Sequence, residues 1–358
     1  MESPHLKIDL NKIRHNTRTI VRLCREKGVD VLGVTKGVSG MPEVGKAMLD
    51  GGAAGLADAR IRNIKKLRNA GITAPIMMLR LPRISSVGDI VKLTDMSLNS
   101  EFAMIKSLTA ECVKTHYQHG ILLMIDVGDL REGVLYTRAM YWLEQILGLK
   151  DIRFSGIGTN VGCFGGVLPS KENMGMLSKT ARSIREKFGL SDFIVSVGGT
   201  NCLPLIERGE MPKEINQVRI GEGILLGRNS SRRCVLENTF QDAFSLVADI
   251  VEIKRKPSIP LGNIGADAFG NMPQFINRGI RSRALIALGK QDVRLDGLIP
   301  VDDGIKILGG SSDYIILDIT DSSIEYALGD RVRFNLLYPG LLSVTTSPYI
   351  SHIFKEDT

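Results

Sequence analysis

Between residues 31 and 223, short apolar runs recur with amphipathic stretches between them. The runs are "VLGVTK" (31–36), "AGLAD" (54–58), "APIMMLR" (74–80), "TDMSLN" (94–99), "GILLMIDVG" (120–128), "FSGIGTN" (154–160), "FIVSVGG" (193–199) and "NQVRIGEG" (216–223). Near-continuous apolar strands suit a parallel sheet covered on both faces. The intervening Pro42–Asp50 and Arg60–Ala70 have helical spacing, and Gly71 is placed as a C-cap. Residues 100–116 open on Ser100 as an N-cap, and residues 170–189 open on a serine and stop at Gly189. Eight such strands separated by helices predict a (β/α)8 barrel, an α/β fold of the TIM-barrel type.

After about residue 235 alternation replaces helical spacing. In "RVRFNLLY" (331–338), Val332, Phe334 and Leu336 share one face, and Arg331, Arg333 and Asn335 the other. The expected division is a barrel over residues 1–235 and a smaller, mostly β domain over 236–358. The early "HLKIDL" (5–10) is strand-like and is placed to pair with that distant β domain.

The apolar share of 43% and charged share of 24% are ordinary for a soluble globular chain. No apolar run reaches the roughly 18 residues of a membrane helix. The opening "MESPHLKIDLNKIRHN" lacks a secretory core, so a cytoplasmic location is expected. Five scattered cysteines without a CxxC point to reduced thiols, and no histidine pair has metal-ligand company. The net charge of +7 is spread without aromatic interleaving, which favours a solvated surface over nucleic-acid binding. No membrane partner is expected.

Barrel chemistry gathers at the C-terminal ends of the strands. Lys36 ends the first barrel strand. An ammonium at a strand end either snorkels to water or, buried, works as an amine. The loops after strands seven and eight, "GGTN" and "RIGEG", are where barrels often hold phosphate. Thr200 offers a hydroxyl there, and Gly221 and Glu222 offer backbone amides. A reactive lysine with a phosphate cradle suggests pyridoxal phosphate held as a Schiff base. Arg219 is placed to face the pyridine nitrogen; its alternative is an ion pair with Glu222 or another barrel acid. A guanidinium keeps its proton, which weakens the ring as an electron sink and favours racemisation over transamination.

Several ordered motifs then resemble the alanine racemase family of fold type III pyridoxal-phosphate enzymes. They are "IDLNKIRHNTRTI", "VTKG", "MIDVGDLREGV", "VRIGEGILLG" and "GGSSDYIILDIT". "VTKGVSG", "GTNVGCFGG", "SVGGTNCLP" and "SPYISHIF" are most similar to the ornithine racemase branch. The resemblance implies that Lys36 carries the cofactor and moves the α-proton on one face. It implies that Thr200, Asn201, Gly221, Glu222, Asn160, Tyr349 and Arg219 contact the cofactor, and that Arg131 lies near its phenolate or the substrate carboxylate. Ser312 and Asp313 would reach the active site of the other protomer of a homodimer. The family's second tyrosine base has no counterpart in "LGNIGADAFG" (261–270). Asp267, Cys163 and Tyr314 are the candidates for that proton, with Asp267 preferred by position.

The activity expected is racemisation of ornithine or another basic amino acid. Asp129, Glu132 and Asp313 are candidates to meet its distal ammonium. The alternatives are an alanine racemase, a non-catalytic pyridoxal-phosphate carrier, and a fold type III decarboxylase. An arginine where those decarboxylases place a glutamate speaks against the last.

Overall fold

The computed structural model describes residues 3–356, which divide into two compact units: His5–Asp9 with the residues from Asp242 onward, and Leu10–Gln241. The units divide at Gln241/Asp242, beyond the change of texture at 235, because residues 236–241 stay fastened to the barrel. The Leu236 amide donates to Gly227 O (2.8 Å), and Asn16 both donates to Phe240 O (2.8 Å) and accepts from the Phe240 amide (2.7 Å).

Strand β1 (His5–Asp9) belongs to the first of these units and is followed by helix α1 (Leu10–Arg25). The barrel strands are β2 (Asp30–Val34), β3 (Gly55–Asp58), β4 (Ile76–Met78), β5 (Met96–Asn99), β6 (Gly120–Asp126), β7 (Arg153–Asn160), β8 (Ile194–Gly198) and β9 (Gln217–Ile220). Each pairs in parallel with the next, and β9 pairs with β2, so the eight strands close into a cylinder with no free edge. Leu32, Val34, Ala57, Met77, Leu98, Leu122 and Met124 form one buried cluster from five strands. Such side chains meet only inside the cylinder, which is therefore a packed core. Complete burial of each leucine contributes roughly 1.5–3 kcal/mol.

Helices α2 (Pro42–Asp50), α3 (Ile61–Asn69), α4 (Val87–Leu93), α5 (Phe102–Thr115), α6 (Ala139–Leu147) and α7 (Lys171–Phe188) cross between strands. Helix α7 starts as its sequence predicts. Ser170 Oγ accepts from the Asn173 amide (3.2 Å), and Asn173 Oδ1 accepts from the Ser170 amide (2.8 Å), a reciprocal cap. Helix α5 departs from expectation: Glu101, not Ser100, occupies the N-cap, and it caps without a side-chain bond. No helix among the described residues is long and apolar enough to cross a membrane.

The other unit is built on a mainly antiparallel sheet. Its strands are β10 (Phe244–Pro257), β11 (Ile280–Ile286), β12 (Leu298–Pro300), β13 (Lys306–Gly310), β14 (Ile315–Asp318), β15 (Arg331–Leu336) and β16 (Ser351–Lys355). The order β12-β15-β10-β11-β14-β13 runs across it, and β1 lies antiparallel to β10 and parallel to β16. Along β15 Val332, Phe334 and Leu336 are buried while Arg331 and Arg333 are exposed, as strict alternation requires.

Candidate active site

The C-terminal ends of the barrel strands carry eight of the residues singled out above: Lys36, Arg131, Asn160, Thr200, Asn201, Arg219, Gly221 and Glu222. Strand β2 ends at Val34, and Lys36 opens the 3-10 turn Lys36–Val38. Of the two readings of Lys36, a side chain that reaches water and a buried amine, the structure has the first: the Lys36 side chain is exposed. The chain has already left the sheet at Thr35, so the amine emerges at the mouth rather than within the wall. Gly221, across the β9–β2 seam, is close enough that a Cβ on it would lie 3.3 Å from Val34 Cβ.

Arg219 is the opposite case. It is 4% exposed, at the centre of β9. Nη1 donates to Ser196 Oγ (2.6 Å) and Nη2 to Thr159 O (2.7 Å). No carboxylate among the described residues forms an ion pair with it, so the pairing with Glu222 does not occur. Glu222 instead accepts from the amide of Ser230 (3.1 Å) and from its hydroxyl. Burial brings the Arg219 pKa down to about 10, which still leaves the guanidinium charged at neutral pH. A buried cation held only by neutral acceptors is costly unless something else compensates it.

The ends of β7 and β8 close on this guanidinium. Gly198 ends β8, and a Cβ there would lie 2.1 Å from Asn160 Oδ1 and 2.7 Å from Arg219 Nη2. Asn160 donates from Nδ2 to Cys163 Sγ (3.1 Å). Thr200 opens the next turn, and its Oγ1 accepts from the Gly223 amide (2.9 Å), tying the β8 and β9 loops together. Asn201 donates to Val161 O (2.9 Å), while its buried Oδ1 has no hydrogen-bond partner.

On the β6 side, Arg131 is exposed and forms a two-pronged ion pair with Glu132. Asp129 is buried and accepts from the Gly162 (3.1 Å) and Phe164 (3.3 Å) amides, so it organises the loop after β7. Both barrel carboxylates considered for a distal ammonium thus have partners already.

The remaining candidates belong to the β unit. Asp267 accepts from the amides of Phe269 and Asn271 (2.9 Å each), and Lys290 Nζ lies 3.3 Å from it. The Asn271 amide bond, with the Phe269 amide, the Asn271 side chain and Lys290, holds its pKa down at about 2. It is an ionised group at neutral pH, able to take a proton and poorly suited to arrive carrying one. Ser312 donates to Asp313 (2.6 Å), which also accepts from Gln291 (3.1 Å). Tyr349 is 67% exposed, and Tyr314 is exposed too.

Ser196 and Thr159, which hold Arg219, were not foreseen. Only Ser196 carries a signal in the sequence, as a lone hydroxyl inside the apolar run of β8; Thr159 contributes its backbone carbonyl, which any residue would supply.

The sequence model described as "Alanine racemase, N-terminal domain" matches residues 8–229. The lysine racemase of Thermotoga maritima is 39% identical over 355 residues, covering 99% of each chain. The ornithine racemase of Acetoanaerobium sticklandii is 38% identical over 348 residues, 97% of this chain and 98% of its own. Among solved structures, the alanine racemase of Streptomyces lavendulae superposes with a TM-score of 0.76 at 16% identity, covering 100% of this chain and 99% of that one. At that identity the likeness concerns the fold.

Proposed function

The chain belongs to the alanine racemase family, and from that premise we propose that it is a pyridoxal-phosphate-dependent racemase of a basic amino acid, ornithine or lysine. The basic substrate is supported by two relatives, a lysine and an ornithine racemase, each matched over nearly its whole length. The observation that carries the cofactor reading is Arg219, a charged, buried guanidinium at the mouth with only neutral acceptors.

The residues fit the group. An exposed amine at Lys36 suits an aldehyde. The Arg219 guanidinium suits an unprotonated ring nitrogen, and the Thr200 hydroxyl with the Gly221 and Glu222 amides suits a phosphate. Asn160, Asn201 and Tyr349 complete the proposed contacts, and Arg131 is assigned to the phenolate or the substrate carboxylate. When bound, pyridoxal phosphate withdraws electrons from the substrate amino group and so acidifies its α-C–H. Lys36 anchors the cofactor and moves the α-proton on one face. Asp267, an ionised carboxylate, is the proposed acceptor on the other. Arg219 donates a hydrogen bond and keeps its proton, which favours return of the proton to the same carbon. We assign Ser312 and Asp313 to the neighbouring active site of a homodimer.

The test is polarimetry of the reconstituted protein with each L-amino acid. Loss of rotation with ornithine or lysine, well ahead of alanine, is the expected result. Rotation unchanged with every amino acid would leave a cofactor carrier, and preference for alanine would remove the basic substrate.

A further inference from the structure

We infer that Asp58 is a positioning residue for the Lys36 amine, acting through Thr35. The inference rests on Lys36 being the reactive amine of the proposed racemase. Strand alternation sets it up: Val34 and Ala57 lie in the interior cluster, so Thr35 and Asp58, the next residues, face the layer between the wall and the helices. Both are fully buried. Thr35 Oγ1 donates to Asp58 Oδ2 at 2.7 Å. The other carboxylate oxygen accepts from the Arg60 amide (2.9 Å) and from Asn63 Nδ2 (3.0 Å), so α3 and β3 together hold the residue that precedes the lysine.

The turn bearing Lys36 is confined from several sides. The Thr35 carbonyl accepts from the amides of Val38 (3.0 Å) and Gly40 (3.2 Å). Ser39 is in the left-handed region at φ 52°, a conformation a serine adopts only when its surroundings require it. Gly40 follows at φ 67°, and a Cβ there would sit 2.5 Å from Asn63 Cβ. Lys66 Nζ donates to Ser39 O (3.1 Å). The Asp58–Thr35 bond thus ties this turn to the rigid wall behind it, where Thr35 Oγ1 also reaches Ala57 O at 3.5 Å. A buried carboxylate is a costly way to make such a link. What it provides is three donors gathered on one group, which fixes the direction in which the chain leaves β2.

The test compares Thr35→Val, which deletes the donor, with Thr35→Ser, which restores it, and with Asp58→Asn, which keeps the volume should the valine variant not fold. Thr35→Val and Asp58→Asn are expected to lower kcat by about tenfold or more with KM little changed, as a misplaced reacting group does; Thr35→Ser is expected to keep most of the rate. A second readout needs no turnover. In the cofactor-free chain, the rate of reductive methylation of Lys36 at one fixed pH, followed by peptide mass spectrometry, is expected to change about threefold or more in Thr35→Val, as the turn that presents the amine loosens. A folded Thr35→Val or Asp58→Asn with wild-type kcat and wild-type methylation rate overturns the inference, as does a serine variant as impaired as the valine one. If the wild type racemises nothing, the racemase reading fails, and unchanged methylation rates then overturn the positioning of Lys36 separately.

Discussion

Asn160 and Arg219 approach each other across Gly198 with no room for a methyl group between them: a Cβ would fall 2.1 Å from Asn160 Oδ1 and 2.7 Å from Arg219 Nη2. The glycine at the end of β8 is therefore a spacer for two side chains of the proposed cofactor site. Gly198→Ala is expected to destabilise the barrel by about 1–3 kcal/mol through overpacking, and to weaken cofactor retention more than Gly175→Ala, where the added Cβ meets nothing within 4 Å. Equilibrium unfolding and dialysis of the reconstituted protein measure both, and equal behaviour of the two variants would refute the spacer role.

Lys36→Ala is expected to abolish the absorbance near 420 nm after reconstitution and borohydride fixation at that position. Racemisation should fall by on the order of 10²–10⁴-fold, the range lost with a positioned proton-transfer group. Because the wild-type side chain is exposed, its removal should leave the melting temperature of the cofactor-free chain unchanged. A variant that still turns yellow would move the cofactor's anchor elsewhere.

Asp267→Asn separates a proton carrier from a turn-closing group. Asparagine keeps an Oδ1 acceptor for the Phe269 and Asn271 amides, so the turn should persist. Solvent deuterium exchange into the α-position is expected to fail from one enantiomer only. Exchange from both enantiomers in Asp267→Asn, with one-sided loss in Cys163→Ser, would transfer the role to the thiol that accepts from Asn160.

His119 gives the barrel a pH dependence of its own. It is 1% exposed, contacts Ser97 Oγ through Nε2 (2.8 Å) and Thr94 O through Nδ1 (3.2 Å), and burial brings its pKa down to about 4. The Thr94 carbonyl and nearby Asp95 oppose that shift, and Arg153 adds to it. An unfolded histidine titrates near 6.5, so between these values the unfolded chain binds the extra proton. The contribution is fully present above about pH 6.5 and is lost as pH falls toward 4, to a total of ~3 kcal/mol. Urea unfolding of wild type and His119→Gln between pH 7.5 and 4.5 reads it; parallel slopes for the two proteins would rule the histidine out.

The barrel was legible because burial on both faces of a parallel strand leaves an apolar run, and because Gly189 and Ser170 mark helix ends by local chemistry. Arg219 was legible as a charge inside such a run. Its partners were not, since Ser196 and Thr159 become neighbours only when β7, β8 and β9 lie side by side. The exposure of Lys36 was left open because an apolar run does not disclose the residue at which the chain leaves the sheet. The carboxylates of Asp129 and Glu132 looked available for a substrate ammonium, but loop amides and Arg131 have claimed them. Such short-range competition is decided by loop geometry, which composition and periodicity do not carry.

Strand β1, between β10 and β16, pairs residues 5–9 with residues 351–355. During synthesis on the ribosome, His5–Asp9 emerges more than 300 residues ahead of its parallel neighbour, so this sheet cannot be completed until residues 351–355 have been made. For most of that interval the nascent chain carries a strand whose final hydrogen-bonding partner does not yet exist, and any premature stop upstream of Ser351 leaves that edge permanently open.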